Sequence, residues 1–581
     1  MVLLKRDNKW YWEKYDKGVS YNSTFRQNKN YYDSIKVWNS FYNGDQWVGL
    51  EGDQKLPHPV FNIIKRIIEF LDASLTSSNI AVNIEPLENT APELANVGDF
   101  LNAEIKNVFE KTNFEYKIKE VLTDGAITGD MCFHTIFNPD KIAYRGKNIK
   151  GEIEIELLDA TNVMFGNPNI KDVEKQPYII VVGRDTVQNL KAEAKSNKDD
   201  IKQDSDVSFQ TSDMAEVEIE GDEEGKALYI YYYFKHKAKN EETGEEETRV
   251  FYTKCTKDAI IYENVDAKTK RYPIAFANWY KQKGTYHGRG VVESVCPNQI
   301  SINKLFAMAI YHMMMTAFPP MVVDADIMDS INNEVGSFIK IKGLKTSGRT
   351  FKDIAGYLNP APMSEWIIKI IDLCFQYTKE CLGVSDASLG QINPTNTSAI
   401  IAVQKSTAVP LANIKDNLYS LVEQEVLIII DMMANKYGKR PVVIADDEGK
   451  RTLVDFDFKA LQNMDLKTSI DVGETSYWSE ISTLQTLDNL LAAERIDFLD
   501  YLERIPNEIV PKKAELISKL KEQLAMQQQA QPLPAGQPTN NDAMYEQMAQ
   551  YMDTLPMEQQ AQIRSLPPEQ QGDYLLNLMQ Q

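Results

Sequence analysis

The chain has 581 residues, 43% of them hydrophobic and 25% charged, with a net charge of −21 and a pI near 4.9. It is too long for one hydrophobic core, ordinary for a folded soluble protein, and too acidic for a module that grips DNA by neutralising phosphates. Such a chain can still line a path along which DNA slides.

Residues 1–30 are polar and aromatic and read as an irregular arm. A short helix is predicted from Tyr31 to Tyr42, ending at Asn43-Gly44, with Asp45-Gln46-Trp47 in a following loop. Ile63, Ile64, Ile67, Ile68 and Leu71 form the stripe of an amphipathic helix over 61–75. Ala81 to Glu85 alternates like a strand. Helices follow over 92–108 and 114–127, then Thr128-Gly129-Asp130 and a strand over 131–137. Further strands fit 152–157, 178–182, 227–234, 249–253 and 272–280, so the first half is mixed α+β. Nine acids lie between Asp204 and Glu224, and 241–247 reads EETGEEE. These are a solvated loop and a hairpin tip, or else a site for a cation or basic partner.

A helical stripe runs from Pro297 to Ala317 through Ile302, Leu305, Phe306, Ala309, Ile310, Met313 and Met314, and Pro319-Pro320 stops it. A second helix after Pro362 gathers Trp366, Ile367, Ile370, Ile371, Cys374 and Tyr377 on a broad face, and Gly383 ends it. At about 1.5 Å per residue each spans roughly 30 Å, which predicts an antiparallel pair. Between them, 319–361 reads as a small β-rich module, with strands at 321–323 and 337–342 and turns at Gly343 and Gly348. It carries Lys340, Lys342, Lys345, Arg349 and Lys352, a basic cluster that contacts DNA or an acidic partner, or else a solvated hairpin.

The loop 384–396, VSDASLGQINPTN, is polar and has one charge, Asp386. A long helix is predicted over 397–437, kinked at Pro410, where a backbone donor is missing. Strands and turns fit 441–471, and helices fit 479–493, 497–502 and 511–526. From Gln527 the chain is a Gln- and Pro-rich linker, then a near-repeat, Leu555-Pro-Met-Glu-Gln-Gln and Leu566-Pro-Pro-Glu-Gln-Gln. Thr or Ser before each Leu, with Pro after it, reads as a capped short helix.

No chemistry announces itself. There is no Gly-x4-Gly-Lys-Ser/Thr loop, and Glu293 stands where a dinucleotide fingerprint needs its third glycine, so 288–293 reads as a strand-to-helix turn. The histidines His58, His134, His236, His287 and His312 lack metal-ligand spacing, and His134 reads as a structural side chain. Asp124 and Asp130 around Gly125 to Gly129 read as a helix-end turn in preference to a cation site. The scattered cysteines Cys132, Cys255, Cys296, Cys374 and Cys381 read as buried thiols of a reducing cytosol. The N-terminus lacks the apolar core of a signal peptide, and no apolar run is long enough to span a bilayer. No enzyme activity, cofactor or metal is expected.

Taken in order, Tyr42-Asn43-Gly44-Asp45-Gln46-Trp47, Pro59-Val60-Phe61-Asn62, Asp124 to Asp130 (DGAITGD), Gly288 to Leu305 (GRGVVESVCPNQISINKL) and Gly383 to Ser398 (GVSDASLGQINPTNTS) resemble the portal proteins of tailed bacteriophages, over about residues 35–525. The resemblance implies a structural ring, usually of twelve subunits, at the capsid vertex of a virion assembled in the host bacterial cytoplasm. Double-stranded DNA is packaged and ejected through it. Its partners would be terminase, major capsid or scaffolding protein, and a head–tail adaptor or tail protein. The implied α+β architecture has an arm and wing (1–287), a first stem helix (288–318), a clip (319–361) and a second stem helix (362–383). A tunnel loop (384–396), a long kinked helix with a wing return (397–475), crown helices (476–526) and a tail (527–581) follow. Gln391, Asn393, Pro394, Thr395 and Asn396 would then face the DNA channel. The competing expectation is another virion ring component of the tail or baseplate.

Overall fold

Apolar periods of 3.6 and of 2 residues become, in the computed structural model, helices set against several antiparallel sheets. The structure describes residues 5–24, 30–47, 56–76, 80–86, 97–144, 148–195, 197–203, 225–239, 244, 246–317, 321–323, 355–357, 362–383, 397–445, 451–464, 466–472, 477–493, 495–505, 513, 516–521 and 548–579. The fold is mixed α+β, as the sequence predicts. It divides into two units, Met1–Ser479 and Glu480–Gln581.

The first unit opens with α1 (Asn8–Ser23), α2 (Tyr31–Asn43), α3 (Ile63–Leu75), β1 (Ile80–Pro86), α4 (Val97–Thr112) and α5 (Phe114–Thr128). Helix α1 corrects the expected irregular arm. Tyr11 and Tyr15 recur at helical spacing and are buried, so tyrosine rings supply the apolar stripe that a polar composition hid. Helix α2 ends as predicted at Gly44, whose φ of 98° suits a residue without Cβ. On α3 the five predicted stripe residues are all buried.

Two sheets follow. β2 (Asp130–Tyr144), β3 (Asn148–Leu157) and β9 (Ile274–Asn278) form one, in the order β3-β2-β9. β4 (Val163–Phe165), β5 (Tyr178–Thr186), β6 (Lys226–Lys239), β7 (Glu246–Thr256) and β8 (Ile260–Asp266) form the other, in chain order, with the short α6 (Val187–Glu193) after β5. The run Ile179 to Val182 is apolar throughout because both faces of this sheet are covered. Ile179 and Val181 enter one core cluster with Tyr272 and Tyr286, while Ile180 and Val182 enter another with Tyr11 and Tyr15 of α1. β4, α6 and β8 were not predicted. The acidic stretch 204–224 lies outside the described residues, as do 241–243 and 245 of EETGEEE, whose Glu246 and Glu247 open β7 opposite Lys239 and Ala238.

The remaining elements of this unit are α7 (Val291–Ala317), β10 (Met321–Val323), β11 (Ala355–Tyr357), α8 (Glu365–Cys381), α9 (Thr397–Met432), β12 (Lys439–Ala445), β13 (Arg451–Asp457) and β14 (Leu466–Val472). α7 begins at Val291, within the strand-to-helix turn read at 288–293 and six residues ahead of the predicted stripe, and passes through Pro297. Burial of Val291, Val292 and Val295 outweighs the backbone bond that the proline lacks. α7 is therefore longer than α8, and the expected equality does not hold. β10 pairs antiparallel with β11, closing the base of the segment between α7 and α8. β1 pairs with β14 across the chain, Ile80 opposite Val472. α9 runs through position 410 as one helix and passes into a wider π turn at Met433–Tyr437.

α10 (Tyr477–Ala492) crosses into the second unit, which holds α11 (Phe498–Arg504), α12 (Met557–Arg564) and α13 (Pro568–Met579). Leu487, Leu502 and Ile505 form a small core there. In both copies of the near-repeat a glutamine amide donates to the leucine carbonyl five residues back: Gln560 to Leu555 at 2.9 Å and Gln571 to Leu566 at 2.6 Å. The expected Thr and Ser caps are corrected. Thr554 and Ser565 donate backward to Tyr551 and Gln562, closing the preceding turns. Not every thiol is buried either, since Cys381 is exposed and Cys296 and Cys374 are half-buried.

Candidate functional site: the root and outer face of a helix pair

Three of the sequence motifs meet at the root of α7. Asn62 caps α3, accepting from the Lys65 N–H, and donates to the Tyr42 carbonyl at 2.8 Å. Gln46 donates to the Phe41 carbonyl at 2.9 Å and accepts from Asn303 at 2.7 Å. Gln299, fully buried, donates to Asn303 at 2.9 Å and to the Phe61 carbonyl at 2.8 Å, and accepts the Ile63 N–H at 3.2 Å. Every polar atom of the Gln299 amide is therefore engaged. A neutral, satisfied network of this kind fixes one geometry where apolar packing tolerates several. Trp47 stacks on His58 at 4.7 Å beside it.

A second network lies at the start of α7. α5 stops at Gly129, with φ 100°, and β2 begins at Asp130. Asp130 Oδ1 accepts from Asn278 Nδ2 at 2.7 Å and the Gly288 N–H at 2.6 Å. Its Oδ2 accepts from Tyr31 Oη at 2.9 Å and lies 2.6 Å from His287 Nδ1. His287 Nε2 is 3.0 Å from Asn22 Oδ1. Both side chains of the His–Asp pair are wholly buried, so it clamps α1, α2, β2 and the entry to α7 and offers no face to a substrate. A Cβ on Gly288 would meet the Gly129 carbonyl at 2.2 Å, and one on Gly290 the Ala126 carbonyl at 2.6 Å. These glycines serve backbone approach and not phosphate binding.

α7 and α8 run antiparallel, as predicted. Asn298 donates to Thr378 at 3.2 Å, and Phe306 meets Phe375 edge-on at 6.1 Å. α8 has a second apolar face. Trp366, Ile370, Leu373 and Tyr377 recur at helical spacing and stay exposed, Trp366 at 67%. Met308, Met313, Met314 and Met315 are exposed on α7. Isolated apolar side chains on a surface need no explanation, but a continuous stripe on a packed helix marks an interface.

The sequence profile of the phage P22-like portal proteins matches residues 20–572. The chain belongs to that family. No curated protein matches it. The portal family is a structural one, and among the described residues no helix is long and apolar enough to cross a membrane.

The channel residues expected for a portal chain, Gln391, Asn393, Pro394, Thr395 and Asn396, lie outside the described residues, as do Lys340, Lys342, Lys345, Arg349 and Lys352. His287, Gln46, Gln299 and Asn303 were not singled out, although each stands within or beside a motif. Both carboxylate oxygens of Asp130 meet protein groups, and among the described residues there is no group of three acids, histidines or cysteines placed to hold a metal ion. Burial, then neighbouring Asp159, Glu120 and Asp72, pushes Asp124 up to about 7. His134 is structural, as predicted: burial lowers it to about 4, and its Nε2 lies 2.9 Å from Tyr233 Oη.

One more buried acid joins α9 to β2. Thr135 Oγ1 donates to Glu425 Oε1, while Oε2 is buried without a partner among the described residues. Burial pushes Glu425 up to about 7. Below its ordinary value near 4.5 the folded and unfolded states are both protonated. As pH rises toward 7 only the unfolded state releases the proton, so stability falls, by on the order of 3 kcal/mol once above 7. Glu425→Gln removes this term. The variant is expected to gain thermal stability over the wild type at pH 8, with a smaller difference at pH 5. Parallel melting curves at the two pH values check it, and a pH-independent difference would contradict it.

Proposed function

We infer that this portal chain is a subunit of a closed ring, of about twelve copies as the resemblance implies, at a capsid vertex, through which double-stranded DNA is packaged and ejected. The observation that carries the reading is the exposed stripe Trp366, Ile370, Leu373 and Tyr377 on a helix whose opposite face already packs on α7. A heterologous contact, one face of the pair against a different face of the next copy, closes such a stripe in a ring. The α+β elements of the first 287 residues serve as wing, α7 and α8 as stem, 319–361 as clip, and the helices after 476 as crown. The clip, with its basic cluster, docks terminase during packaging and a head–tail adaptor or tail protein afterwards. The wing side meets the major capsid or scaffolding protein. No phosphate-cradling loop stands in the sequence, so the motor is a separate ATPase.

A conduit must hold DNA loosely, because each fixed phosphate ion pair is a barrier to sliding. The loop 384–396 has one charge, and its Ser, Asn, Gln and Thr side chains offer exchangeable hydrogen bonds. Gln391, Asn393 and Thr395 form the narrowest ring in this reading. Replacing all three by Lys leaves assembly unchanged and slows packaging, most strongly at low salt. DNA packaged per particle at two salt concentrations measures it; packaging equal to wild type at low salt would contradict the sliding-contact mechanism.

A further inference from the structure

A cavity of about 270 Å³ opens between the 171–174 segment, β9 and α9. Its floor is apolar, from Val173, Ile274, Phe276 and Ile428, and its polar groups are Lys171, Arg271, Gln424, Asp172 and Glu174. The charges are unevenly committed. Asp172 pairs with Lys175 at 2.9 Å, and Glu174 pairs with Lys235. Both acids are thus neutralised by lysines that do not line the cavity. Asp431, on α9, spends its Oδ2 on the backbone N–H groups of Lys270 and Arg271, at 2.7 and 2.9 Å. Among the described residues neither Lys171 nor the Arg271 guanidinium makes an ion pair, and both are half-buried. Gln424 accepts the Phe276 N–H at 3.2 Å, which fixes its amide at the cavity wall.

We propose that this cavity is an oxyanion site, in which Lys171, Arg271 and the Gln424 amide bind a phosphate group. A lysine and an arginine lining one cavity with an apolar floor suit a compact tetrahedral anion, because charge-assisted bonds strengthen as water is excluded. The volume holds a phosphate with a few waters and is small for a whole nucleotide. Burial, then Lys281 nearby, lowers the pKa of Lys171 against a smaller opposing pull from Asp130.

Two sources can supply the group, free phosphate and the DNA backbone. Calorimetric titration of the full chain with inorganic phosphate, at fixed ionic strength, is expected to give saturable binding. Lys171→Gln with Arg271→Gln weakens it by about tenfold or more, the loss of two charge-assisted bonds, and leaves the melting profile unchanged. The single variant Lys171→Gln reads the same effect if the double variant fails to fold. A short DNA duplex that competes with phosphate assigns the site to the DNA backbone, and one that does not assigns it to a small anion. No saturable heat, an equal response to chloride, or wild-type affinity in the variants would overturn the site.

Discussion

Ile370→Lys combined with Leu373→Lys is expected to abolish ring formation while leaving a folded chain. The two side chains sit at the centre of the α8 stripe and face away from Ile371 and Thr378, which are buried within the subunit. Burying each apolar side chain at an interface contributes roughly 1.5–3 kcal/mol, and a lysine there must also be desolvated. In a closed ring the change recurs at every contact, so even the low end of this range removes the assembly. Native mass spectrometry reads the outcome, with circular dichroism as the control on folding. Rings of wild-type mass in the double variant would place the stripe outside the subunit contact.

Asp130→Asn is expected to be the most damaging isosteric change in the described core. Asp130 accepts from Tyr31, Asn278 and the Gly288 N–H and lies 2.6 Å from His287 Nδ1, and an amide keeps only one of its two accepting oxygens. Whichever way the amide points, either Asn278 and Gly288 lose their acceptor or Tyr31 and the His287 ring face an N–H in place of a carboxylate oxygen. Breaking a buried charged network from one side costs about 3–5 kcal/mol. Because the clamp joins α1, α2, β2 and the entry to α7, loosening it frees the root of the α7–α8 pair as well as lowering stability. A urea unfolding midpoint within error of the wild type would show that the network carries little of the fold.

Much of this architecture could be read from local spacing. The stripes of α3 and α8, the glycine stop after α2 and the alternation around β1 depend only on neighbours a few positions apart. Other elements failed for identifiable reasons. α1 was lost because its buried face is built from Tyr11 and Tyr15, residues that composition counts as half polar. The start of α7 at Val291 was legible in the strand-to-helix turn at 288–293 but not in the apolar stripe, which begins only at Pro297; three buried valines carry the helix between the two. β8 carries Glu263, Asn264 and Asp266 at its far end, which reads as a loop.

The motifs were visible, yet their partners were not. Asp130 and His287 are 157 positions apart, and Gln46 and Asn303 are 257 apart, so no local period connects them. Motif order pointed to the family, and only the folded chain showed that the motifs bond to one another at the root of α7.

The central claim is that the α8 stripe is closed by a neighbouring copy in a ring around a DNA channel. Electron cryomicroscopy of the purified full-length chain tests it most directly. The account predicts a closed, channelled ring in which Trp366, Ile370, Leu373 and Tyr377 are covered by the next subunit and residues 384–396 line the narrowest level. Particles that remain monomeric, or a ring that leaves this stripe open to solvent, would contradict it.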